Sequence, residues 1–73
     1  METQNRYSNF RLREIVEEFI HSERDRRILI RKYCDKRTID QLAEEFQMST
    51  SQIKRIITRD EDTVFRIMAE ENR

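Results

Sequence analysis

The chain has 73 residues, fifteen basic against fifteen acidic side chains, no glycine, no proline and a single cysteine. That length suits one small domain, which buries only about 60% of its extended surface; the missing turn residues exclude a many-stranded β-sandwich. One cysteine excludes an internal disulfide framework and fits a reducing cytoplasm, and neither a signal-peptide pattern nor an apolar run near the ~20 residues of a membrane span is present.

In chain order, residues 1–7 are polar and read as a frayed start. Ser8 is placed to cap a helix over roughly residues 9–21, in which Leu12, Ile15, Val16 and Phe19 fall at i, i+3, i+4 and i+7. Phe10 and Ile20 widen that stripe. The helix either closes the core or serves as a seam for a partner or a second copy.

Ser22 caps the next helix, with Glu23 and Asp25 at its positive end and Lys32, Lys36 and Arg37 toward its negative end. Ile28, Leu29, Ile30 and Tyr33 are its apolar positions. Arg24, Arg27 and Arg31 share a stripe that could follow a phosphate backbone or form a solvated face with local pairs such as Glu23–Arg27. Cys34 reads as a small core or half-buried residue. His21 has no companion histidine, so a zinc-type site is not expected.

The most informative stretch is Thr38 to Arg59. Ile39, Leu42, Ala43 and Phe46 make one apolar helix face, and Ile53, Ile56 and Ile57 another. Thr38 with Gln41, and Ser49 with Gln52, are capping boxes that mark where each helix starts. Between them remains a turn of only three or four residues, with the small Ala43 where the helices would cross. This predicts a helix-turn-helix over 38–59 within an all-α bundle of four to five helices, the whole chain forming one domain. After Arg59, the acidic run Asp60-Glu61-Asp62 predicts the start of a separate last helix, with Val64, Ile67 and Met68 inward and Phe65 alongside.

Charge is zoned along the chain. Residues 22–37 and 49–59 are net basic, whereas 38–48 and 60–73 are net acidic. Such zoning orients a neutral protein on a polyanion with modest, salt-sensitive affinity.

From Ser22 onward the residues resemble region 4 of bacterial sigma factors, the domain that reads the −35 promoter element. Glu23, Arg24, Arg27, Ile28, Leu29 and Tyr33 match its first helix; Thr38, Leu42, Ala43, Phe46, Met48, Ser49, Ile53 and Ile56 match its motif. The twenty-residue step from Glu23 to Ala43 is similar to the extracytoplasmic-function type, while LuxR-type domains have a shorter connection. The family's turn glycine is Gln47 here. That position takes φ > 0, at a cost on the order of 1 kcal/mol for a residue with a Cβ. The resemblance implies a free-standing bacterial or phage regulator rather than a complete sigma factor.

An enzyme is not expected, since a triad, a metal site or a P-loop each needs residues the chain lacks, and no cofactor is implied. The functional expectation is a sequence-specific regulator of transcription that binds double-stranded DNA through the helix at 49–59. Thr50, Ser51, Gln52 and Arg55 are expected at base edges; Lys36, Arg37, Thr38, Ser49, Lys54, Thr58 and Arg59 are expected at phosphates. A homodimer would form through the first or last helix. The alternative is a protein-binding adaptor of the same shape that contacts RNA polymerase or another regulator and has little DNA affinity.

Overall fold

Apolar residues at spacings of three and four drive helices that must share one core. The computed structural model describes residues 9–71, which contain four α-helices and no strand. These are α1 (Asn9–Phe19), α2 (Glu23–Tyr33), α3 (Ile39–Phe46) and α4 (Thr50–Glu71). The expected frayed start and the Ser8 cap lie outside the described residues.

The start signals of α2 and α3 act as expected. Ser22 Oγ accepts from the Asp25 amide at 3.3 Å. Thr38 closes a reciprocal capping box: its Oγ1 accepts from Gln41 N at 3.1 Å, and its own amide donates to Gln41 Oε1 at 2.9 Å.

Helix α4 packs against each of the other three. Its 22 residues span about 33 Å at 1.5 Å per residue, close to the 37 Å long dimension of the molecule. The core gathers Leu12, Ile15, Val16 and Ile20 around α1, Ile28 and Leu29 of α2, and Leu42 of α3. Against them lie Ile53, Ile56, Ile57, Val64 and Met68 of α4. Polar ties join the same elements: Arg31 Nε reaches Glu45 at 2.9 Å, and Arg11 Nε reaches Glu71 at 3.1 Å. The Tyr33 hydroxyl donates to Glu61, and its ring meets Phe65 edge-on at 6.0 Å.

Three expectations are corrected. The acidic run at Asp60 does not begin a separate helix; one helix runs from Thr50 through Glu71. No Gly or Pro interrupts it, and the inward stripe Ile53, Ile57, Asp60, Val64, Met68 keeps helical register across the junction, so burial on both sides favours continuity over a break. Phe19 and Phe10 do not join the core: they are exposed, whereas Ile20 of the same expected stripe is buried. Ala43 and Phe46 are only half-buried, packed on the rim of the core around Leu42. Arg27 lies 5.8 Å from the Phe46 ring centroid, which explains how that aromatic sits partly open.

Candidate nucleic-acid interface

The turn between α3 and α4 is three residues, Gln47 to Ser49. Gln47 takes the left-handed conformation at φ 55° and ψ 49°. Its amide bonds to Glu44 O at 3.3 Å, and the Met48 amide bonds to Ala43 O at 2.9 Å. This paired pattern is a Schellman ending, which normally uses glycine. Lys36, at φ 60°, makes a second left-handed kink in the α2–α3 connection.

Ser49 then caps α4. Its Oγ accepts from Gln52 N at 3.1 Å, and its amide donates to Gln52 Oε1 at 3.0 Å. The amide oxygen of Gln52 is thereby committed to the cap, which leaves its NH2 group for any other contact. With Ile53, Ile56 and Ile57 buried, Thr50, Ser51, Lys54, Arg55 and Thr58 are all exposed on the rest of the helix surface. Among the described residues neither Lys54 nor Arg55 has an ion-pair partner. Lys36, Arg37 and Thr38 are exposed too, but belong to the α2–α3 connection.

Arg59 is exposed yet engaged. Its Nη2 donates to Asp25 Oδ2 at 2.6 Å, and its Nε donates to Asp60 Oδ1 at 3.2 Å. Arg24 approaches the other oxygen of Asp25 at 3.3 Å. Asp25 and Asp60 are themselves buried, at 3% and 7% exposure. Burial pushes the Asp60 carboxyl above its usual range; a hydrogen bond to Asp25 and repulsion from it add to the rise, and Arg59 opposes it. Asp60 Oδ2 has no donor among the described residues. A proton on Asp60 would make it a donor within this pair.

Of the expected contact residues, Gln52, Arg55 and Arg59 come together around an open hollow of about 200 Å³, which Arg24, Met48 and Ile56 complete. Arg24, which the sequence places on an arginine stripe and within the stretch that resembles region 4, is not among the expected contact residues. The buried acid pair carried no sequence signal as such, because both aspartates resemble ordinary helix-start residues.

Compared with protein-family models, curated proteins and solved structures, the chain gives no match in any of the three. Among the described residues no group of His, Cys, Asp and Glu could hold a metal ion, and no helix is long and apolar enough to cross a membrane.

Proposed function

We propose that this chain is a sequence-specific DNA-binding regulator of transcription, with α3 and α4 acting as a helix-turn-helix and the first half of α4 entering the major groove. The observation that carries the reading is the exposed, polar and basic surface of α4 from Thr50 to Thr58, set opposite a fully apolar inward face. A three-residue turn and a capping box fix where that helix begins. Residues near the start of such a helix reach base edges, so Thr50 and Ser51 read bases, joined by the NH2 group of Gln52. Arg55, one turn beyond Ser51, offers a planar fork for guanine O6 and N7. Lys54 and Thr58 flank this line and meet phosphates, as do Ser49 and the Lys36–Thr38 segment. Its likeness to region 4 of sigma factors, carried by Glu23, Arg24, Leu42, Ala43 and Ser49 among others, points the same way.

A second reading is supported by the other half of α4. There Glu61, Asp62, Phe65 and Arg66 border an open, partly apolar surface on a segment whose net charge repels DNA. On that reading the chain is an adaptor that docks on RNA polymerase or another regulator.

Selection of bound sequences from random duplex DNA with the purified chain separates the two. Enrichment of a motif is the expected result, and a palindromic motif would add a homodimer. Failure to enrich any sequence, with binding that scarcely changes with salt, would overturn the DNA reading in favour of the adaptor.

A further inference from the structure

We propose that the hollow bounded by Arg24, Arg55 and Arg59 is a phosphate site whose filling is linked to uptake of a proton by the buried Asp25–Asp60 pair that Arg24 and Arg59 also hold. The inference rests on the nucleic-acid reading for the origin of the phosphate, but the site stands on its own geometry.

Arg24, Arg55 and Arg59 line an open space of about 200 Å³ together with Gln52, Met48 and Ile56. The arginines come from two helices that are held together at this point. Arg24 and Asp25 belong to α2, and Arg55, Arg59 and Asp60 to α4. Elsewhere in the bundle, α1 directs Arg11 at Glu14 and Glu71, and α3 directs Glu45 at Arg31. The hollow and the acid pair therefore contain three cations against two carboxylates. One of those carboxylates, Asp60, is buried with an oxygen that lacks a donor among the described residues. This excess of positive charge favours an anion, and the forked guanidinium suits the paired oxygens of a phosphodiester.

The linkage follows from Arg59. Among the described residues it is the single side chain that bonds both Asp25 and Asp60, and its own side chain is 61% exposed, which leaves it room to turn toward a ligand in the hollow. The Nε–Nη2 edge of Arg59 is the one that holds the carboxylates, so turning that edge to a phosphate withdraws both bonds. Asp60 then loses the cation that favours its ionised form while its burial and its acidic neighbour remain. A proton from solvent then settles on Asp60, which removes one of the two like charges of the pair and makes Asp60 a donor.

Calorimetric titration in buffers of different ionisation enthalpy tests this with the full chain. One arm uses inorganic phosphate and the other a mixed-sequence DNA duplex, each at low salt. The expected result is net proton uptake on binding. Affinity should strengthen by up to about tenfold per pH unit as pH falls through the Asp60 transition. Asp60→Asn, which keeps the shape of the neutral acid, should bind without proton uptake, and Arg24→Gln should weaken phosphate binding several-fold. Duplex binding with no proton uptake would overturn the inference while leaving the DNA reading intact. Phosphate binding whose proton uptake exceeds that of Asp60→Asn, without duplex binding, would uphold the site and count against the DNA reading, whereas equal uptake by the two would trace the proton to the phosphate and overturn the linkage. Absence of binding in both arms would overturn both.

Discussion

Arg59 Nη2 and Asp25 Oδ2 meet at 2.6 Å across the α2–α4 contact, thirty-four residues apart in the chain. The same guanidinium holds Asp60 with its Nε. A side chain expected at a phosphate is thus already the bridge between two buried acids, so ligand binding, protonation and packing of α2 on α4 draw on one group.

Stability should depend on pH through Asp60 in a direction opposite to that of most carboxylates. Its folded pKa is raised, so the folded chain takes up this proton at a higher pH than the unfolded chain. The stabilisation is full below the ordinary Asp value and is lost as pH rises through the raised one. Glu71, whose pKa its hydrogen bonds from Arg11 lower, behaves conversely: its contribution is present above the ordinary Glu value and fades as pH falls through the lowered one. Urea unfolding from neutral pH down to the ordinary carboxylate range should therefore show a gain that Asp60→Asn abolishes. A gain that persists in Asp60→Asn would assign it to another group.

The left-handed turn makes a separate prediction. Gln47 occupies a conformation that costs a residue with a Cβ on the order of 1 kcal/mol, so Gln47→Gly should raise stability by up to about that amount. Ser49→Ala, which removes an acceptor for the α4 start, should lower it by about 1 kcal/mol. Denaturant midpoints measure both. Destabilisation by Gln47→Gly would mean that the side chain of Gln47 contributes more than its backbone costs.

Continuity of α4 predicts unequal costs for two neighbouring residues beyond Asp60. Met68 is buried and Phe65 is nearly half exposed. Met68→Ala should cost about 2–5 kcal/mol, whereas Phe65→Ala should cost clearly less, losing mainly its edge contact with Tyr33. Equal costs in thermal or urea unfolding would contradict the placement of this last segment on the core.

Base reading is tested at Arg55. Arg55→Ala should cost about 1–3 kcal/mol on the best site and relax preference at one base pair. Lys54→Ala should weaken all sequences alike and reduce the slope of log K against log salt by roughly 0.9. If Arg55→Ala also weakens every sequence equally, its contact is with the backbone.

Much of the fold was legible because its signals are local. The capping boxes at Thr38–Gln41 and Ser49–Gln52 each lie within one helical turn, and hydroxyl, amide and spacing suffice to specify them. The same holds for the Ser22 cap and the inward sets Leu12, Ile15, Val16 and Ile53, Ile56, Ile57, where helical periodicity alone selects a face. It was not decisive at Asp60. An aspartate after Arg59 has the local chemistry of a helix start, and only the combined burial of Ile57, Val64 and Met68 on one surface made it the middle of a long helix. Phe19 and Ile20 are adjacent and both apolar; which one the core accepts depends on the angle at which α1 meets α2 and α4. The pairing of Arg59 with Asp25 likewise required the tertiary structure, since nothing short of packing two helices brings residues that far apart in sequence within hydrogen-bond reach, or removes water from the two acids between them.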